Sequence, residues 1–338
     1  MCIRDSDGIL AYEILSAKAR TPPKNYDKLA FILFGRLVMS DFDEIKSRLR
    51  GSMTALVTPM HADGRVDFAS LEALIEWQIQ EGTHAIVAAG TTGEAATLSM
   101  AEHAKVIEFA VKTVAGRIPV IAGTGANSTA EAIELTTYAK NAGADAALLV
   151  VPYYNKPTQE GMYQHYKMVA SSVAIPQILY NVPGRTVVDM QEDTVNRLAD
   201  IANIVAIKDA TGNLVRGEAL IKRVSDRLVV LSGDDPTALE LVRLGAKGNI
   251  SVTSNIAPQA MSQMFELALA GNFDEALLIN EGVAHLHKDL FVESSPQPVK
   301  YALQKMGKIE VGIRLPLVWL SHTSQQTLDD SLRRANLL

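Results

Sequence analysis

Between residues 51 and 256 the chain repeats one unit eight times: a short apolar stretch, a few polar residues with Gly or Pro, then a longer segment with apolar positions every three or four residues. The apolar stretches predict strands over 53–58, 85–89, 119–122, 147–151, 177–181, 204–208, 228–231 and 248–252. Helices fill the intervals. In 68–80 the positions Leu71, Leu74, Ile75, Trp77 and Ile79 are apolar, and in 129–142 the positions Ala132, Ile133, Leu135 and Ala139 are. Ser128 and Thr129 open the second of these helices, while Gly82 and Gly143 close the two. Strand and helix in strict alternation imply parallel strands with crossover helices, because a parallel neighbour is reached only by a long connection. Eight such units predict an α/β fold, the (β/α)8 TIM barrel, with a doubly wound open sheet as the runner-up.

After Asn255 the strand pattern stops, and 258–270, 274–289, 298–306 and 325–335 read as helices, so the expected organisation is a barrel over 51–256 followed by a C-terminal helical extension over 257–338. Residues 1–50 read as an appendage: Pro22 and Pro23 interrupt any helix there, the opening residues resemble translated adapter sequence, and Met39 is an expected start. The 338 residues are 48% hydrophobic and 21% charged, which is ordinary globular composition. A net charge of −6 without any block of Lys or Arg gives no surface for nucleic acid. The apolar run 29–34 is too short to cross a membrane, and the single cysteine, Cys2, has no partner for a disulfide, so a cytoplasmic location is expected.

In a closed barrel the active site lies at the carboxyl ends of the strands. After the second strand comes Gly90-Thr91-Thr92-Gly93-Glu94, a turn whose hydroxyls and N–H groups can hold an anion, or which is simply a capped glycine turn. After the fourth comes Pro152-Tyr153-Tyr154-Asn155-Lys156-Pro157, with two phenols fit for proton transfer or for packing on a neighbouring subunit. The fifth ends in Tyr180, followed closely by Arg185, a fork for a carboxylate or an ordinary surface arginine. The sixth, Ile204-Val205-Ala206-Ile207, runs straight into Lys208. Alternation groups Lys208 with Ala206 and Ile204 on one face. A lysine partly desolvated in the barrel mouth loses its proton more easily and becomes a nucleophile toward carbonyls; the alternative is a lysine that reaches back to solvent.

Other chemistries lack residues. His61 and His84 fall near strand starts or loops, His103 and His165 in helices, His322 in a late linker, and His285 and His287 two apart on a helix, so no metal-ligand set forms at the mouth. No Gly-x-Ser-x-Gly elbow or phosphate-binding loop with its lysine is present.

Gly90-Thr91-Thr92-Gly93-Glu94, Tyr153-Tyr154-Asn155, Tyr180-Asn181-Val182-Pro183-Gly184-Arg185-Thr186, Ile207-Lys208-Asp209-Ala210 and Ser232-Gly233-Asp234-Asp235 occur in that order. Together they resemble the 4-hydroxy-tetrahydrodipicolinate (dihydrodipicolinate) synthase family, a group of pyruvate-dependent aldolase-type lyases. The resemblance implies that Lys208 forms a Schiff base with pyruvate and that Tyr180 transfers protons, linked through Thr92 to Tyr154 of a neighbouring subunit. It implies that Thr91 and Thr92 hold the pyruvate carboxylate, that Arg185 positions L-aspartate 4-semialdehyde, and that Gly233 and Ile250 line the pocket. A homotetramer built as a dimer of dimers, with no cofactor and no metal, is implied as well. His103, Asn127, Glu131 and Tyr153 match the family's L-lysine feedback site, although Met100 stands where some inhibited members carry an imidazole. Two alternatives remain at this point: another pyruvate-dependent aldolase such as N-acetylneuraminate lyase or a 2-keto-3-deoxy sugar acid aldolase, and a non-catalytic barrel that binds a keto acid.

Overall fold

The computed structural model describes residues 42–338. The expectations for the segment before residue 42, including the start at Met39, lie outside the described residues. Eight strands, β1 (Gly51–Ala55), β2 (Ala85–Ala88), β3 (Val120–Gly123), β4 (Ala146–Val150), β5 (Gln177–Asn181), β6 (Ile204–Asp209), β7 (Val229–Ser232) and β8 (Gly248–Ser251), pair in chain order. Every pairing is parallel, and β8 returns to β1 with Met53 opposite Ile250, so the sheet closes and the open-sheet alternative is excluded.

Closure divides the buried side chains into two layers, because successive residues of a strand face opposite sides. Ile86, Ala88, Ala147, Leu149, Leu179 and Ile207 join a cluster with helix residues such as Leu74, Ile107, Tyr166 and Leu220. Met53, Ile121, Leu148, Ile178, Leu231 and Ile250 are equally buried but fall outside that cluster, and they fill the barrel interior.

In β6 the alternation is interrupted. Gln177 pairs with Ile204 but Ile178 pairs with Ala206, so one extra residue, Val205, is accommodated as a bulge. Ile204 therefore packs in the outer cluster with Ile207, which corrects its expected place on the face of Lys208.

The helices fall where the period puts them. Phe68–Gln80 is capped by Asp67, whose carboxylate accepts from the Ser70 backbone N–H, and Thr129–Ala142 is capped by Ser128 and ended by Gly143 at φ +87°. Four helices, Pro258–Leu269, Phe273–Asp289, Gln297–Lys305 and His322–Arg334, form the C-terminal extension. Ser321 caps the last, so His322 opens a helix instead of lying in a linker.

The compact unit begins at Phe42, earlier than the expected boundary at Gly51. A helix over 42–48 buries Phe42 and Ile45, and Leu49 follows fully buried. The three apolar positions, spaced three and four apart, are the signal of that helix, too short on its own to stand out.

Candidate active site

The carboxyl end of β6 delivers Lys208 next to Tyr180 of β5, its partner in the strand register. The Lys208 Nζ lies 4.3 Å from the centroid of the Tyr180 ring. Both residues are buried, at 6% and 7% exposure, so the alternative of a lysine reaching out to solvent is excluded. Burial pushes the Lys208 amine down to about 7, against the opposing pull of the Asp235 carboxylate and with further help from the Arg185 guanidinium. The Tyr180 phenol moves the other way: burial raises it, while Arg185 and the Thr91 hydroxyl draw it back down.

Gly233, in the turn after β7, makes room for the lysine. A Cβ at this position would stand 2.5 Å from Lys208 Cε and 2.8 Å from the Ala210 Cβ. Ile250 is buried on β8. Asp235 is the carboxylate whose charge acts on the amine, and its oxygens are already occupied: it accepts from Asn249 Nδ2 at 2.6 Å, from the backbone N–H groups of Val252 and Thr253 at 3.0 and 2.9 Å, and from Thr253 Oγ1 at 3.0 Å. It therefore acts on Lys208 as a charge fixed in place. The sequence reading missed it, although a carboxylate two residues past a pocket glycine at a strand end is a readable signal.

The turn after β2 is folded on itself. Glu94 N donates to Thr91 O at 3.1 Å, Ala95 N to Gly90 O at 3.2 Å, and the Thr58 hydroxyl to Gly93 O at 2.7 Å. Thr91 is exposed and lines the cavity together with Tyr180, whereas Thr92 is buried. Neither threonine side chain makes a hydrogen bond to Tyr180 among the described residues, but Thr91 lines the cavity with the phenol and Thr92 does not, so it is Thr91, not the expected Thr92, that faces the phenol's side. The two lie next to each other in sequence, and only the tight turn decides which one faces inward.

Thr91, Tyr180 and Arg185 line a cavity of about 550 Å³ together with Met100, His103, Glu131 and Tyr153. Arg185 sits on the short helix Pro183–Thr186 and donates from Nη2 to the Ser295 carbonyl at 3.3 Å. His103 donates from Nε2 to Gly123 O at 2.7 Å, and burial holds its pKa below the usual imidazole value. Tyr153 is 39% exposed, and its phenol is raised, by partial desolvation first and then by the Glu131 charge. The Asn127 carbonyl accepts from Asn155 Nδ2 at 2.8 Å. Tyr154 is 90% exposed at φ +72°, so within one chain it is not gathered into the buried site.

Away from this cavity, His61, Asp67 and Glu310 bring ligand atoms within 4.8 Å of one another. The Asp67 carboxylate is committed to its helix, accepting from the Ser70 N–H at 3.1 Å and from the Ser70 hydroxyl. The positive end of that helix disfavours a cation there.

A closed parallel barrel with a buried, proton-poor lysine at the mouth, a phenol beside its Nζ and an arginine lining the cavity that this phenol also lines has the features of a lyase barrel of the Schiff-base type. Comparison with known proteins gives the family. The dihydrodipicolinate synthetase family matches residues 48–335, and the chain belongs to it. It is 65% identical over 297 residues to the 4-hydroxy-tetrahydrodipicolinate synthase of Psychrobacter arcticus, covering 88% of this chain and 99% of that protein. It is 61% identical over 290 residues to the enzyme of the same name from Pseudomonas putida, covering 86% of this chain and 99% of that protein. Among solved structures, the dihydrodipicolinate synthase of Acinetobacter baumannii complexed with pyruvate superposes with a TM-score of 0.85 at 58% identity, over 86% of this chain and 100% of that one.

Proposed function

We propose that the chain condenses pyruvate with L-aspartate 4-semialdehyde to 4-hydroxy-tetrahydrodipicolinate, a step in lysine and diaminopimelate biosynthesis. The observation that carries this reading is the buried Lys208 amine, depressed to about 7 and standing over the Tyr180 ring. In the neutral form its lone pair attacks the keto carbon of pyruvate, and the carbinolamine loses water to leave an imine. The imine draws electrons from the methyl group, which gives up a proton to become an enamine carbon nucleophile. That carbon adds to the aldehyde, and the aldehyde partner's own amine then closes the ring and displaces Lys208. Tyr180 carries protons through these steps, with Thr91 beside it and Tyr154 supplied by a second copy of the chain. Thr91 and Thr92 hold the pyruvate carboxylate, Arg185 the carboxylate of the aldehyde, and Gly233 and Ile250 shape the pocket.

Borohydride added in the presence of pyruvate traps the imine as a stable adduct on Lys208, seen by peptide mass spectrometry. No adduct would leave only a keto-acid-binding barrel. Turnover with L-aspartate 4-semialdehyde, and none with N-acetylmannosamine, separates this reading from a sugar-acid aldolase.

The exposure of Tyr154 and its strained backbone support its use by a neighbour in a homotetramer, which sedimentation velocity tests directly. Among the described residues no helix is long and apolar enough to cross a membrane, which accords with action in the cytoplasm. His103, Glu131 and Tyr153 on the shared cavity, with Asn127 nearby in the chain, support L-lysine binding there, the Glu131 carboxylate facing the ligand's ammonium. A flat activity response to L-lysine up to millimolar concentration would remove that regulatory site.

A further inference from the structure

Two fully buried charges lie outside the chemistry described so far. Lys300, on the C-terminal helix Gln297–Lys305, donates from Nζ to Glu94 Oε1, and both side chains are 0% exposed. Glu94 is the last residue of the turn that carries Thr91 and Thr92, and it occupies the left-handed region at φ +58°, a conformation that residues other than glycine hold only when their surroundings fix it. Its backbone completes the turn: the N–H donates to Thr91 O, and the carbonyl accepts from Thr97 N at 2.9 Å and from Thr97 Oγ1 at 3.1 Å. Its carboxylate is gripped from the C-terminal side by the Lys300 ammonium and by the Arg314 backbone N–H at 3.4 Å. The Arg314 guanidinium anchors the same region by donating to Thr97 O at 2.8 Å and to the Glu102 carboxylate at 3.0 and 2.6 Å.

The segment that bears Lys300 also reaches the other anion-holding element, since the Ser295 carbonyl accepts from Arg185. One short stretch of the C-terminal extension, from Ser295 to Lys300, thus touches both the hydroxyl turn and the arginine loop, two features that belong to different strand ends.

We infer that Lys300 is a positioning residue: through its buried ion pair with Glu94 it fixes the strained end of the turn and so holds the Thr91 hydroxyl at the Tyr180 phenol. The inference rests on the proposed use of Thr91 and Tyr180 in proton transfer. A purely structural ion pair would stabilise the chain without caring which residue stands at position 91, whereas a positioning pair acts only through that residue.

The test is a double-mutant cycle on the full-length protein, crossing Lys300→Met with Thr91→Val and reading kcat, pyruvate KM and borohydride trapping on Lys208. The expected result is that Lys300→Met lowers kcat about tenfold or more in the parent while Lys208 is still trapped by pyruvate, and lowers it less than about twofold once Thr91→Val is present. Equal fold-losses in both backgrounds would overturn the inference, and so would a Thr91→Val variant with unchanged kcat. Absence of the Lys208 adduct in the parent protein would instead overturn the proposed function, and the inference with it. Should Lys300→Met fail to fold, the pair Glu94→Gln with Lys300→Gln retains a hydrogen bond without buried charge. Crossed with Thr91→Val in the same way, that pair supports the inference if its loss of kcat shrinks below about twofold and overturns it if the loss is undiminished.

Discussion

Among the described residues two lysines are buried, and they serve opposite ends of the design. Lys208, at the end of β6, has a phenol ring beside it, and the carboxylate it feels, Asp235, is saturated by donors of its own. Lys300, in the C-terminal extension, is bonded directly to Glu94. Burial pushes both amines down, but at Lys300 the Glu94 carboxylate opposes it at contact distance. The difference teaches that desolvation alone does not make a nucleophile. An amine tied to a carboxylate is a strut, while one that only feels the charge of a carboxylate held by other donors keeps a lone pair within reach near neutral pH.

The largest expected effect that could break this contrast is chemical. Lys208→Met should lower turnover by about 10⁴-fold or more and abolish the pyruvate adduct, with none transferred to Lys300. Stability should move in opposite directions at the two sites. Lys300→Met strands the Glu94 charge in the interior and should cost about 3 to 5 kcal/mol, read from urea unfolding. Lys208→Met removes an amine whose folded pKa, about 7, lies below its unfolded value. The penalty for burying that ammonium is present in full below pH 7 and fades as pH rises toward the unfolded pKa, so the variant should gain stability at pH 6 and lose the advantage by about pH 10.

A subtler prediction concerns the Lys208 proton itself. The trapping rate should rise with pH through about 7 as the neutral amine forms, and Asp235→Asn should move that limb to lower pH, because the carboxylate favours the ammonium. A limb that stays in place would mean that Asp235 only braces β8. The smallest effect is the control: the exposed ion pair of Lys222 with Glu218, 2.6 Å apart on one helix, should leave the urea midpoint unmoved when Lys222 is replaced by Ala.

How much of this was legible in the sequence follows from how local each cause is. The eight strands and the helices Phe68–Gln80 and Thr129–Ala142 could be read because periodicity and caps act within a few residues. Lys208 could be read because a charge at the end of an apolar strand is anomalous in itself. The bulge at Val205 could not, since it depends on the register with β5. Nor could the choice of Thr91 over Thr92, which the folding of the turn decides. The Glu94–Lys300 pair joins residues 206 positions apart, and nothing near Lys300 marks it as different from any other helical lysine. Glu94 closes a motif that is plain in the sequence, yet its own role stays hidden there because its partner lies so far along the chain.

Closure of the sheet has a consequence for assembly. With β8 hydrogen-bonded back to β1, the barrel offers no free edge whose backbone could recruit another chain as an extra strand. Any association between copies of this barrel would have to run through what protrudes from loops and helices, and Tyr154, 90% exposed, is a residue of that kind.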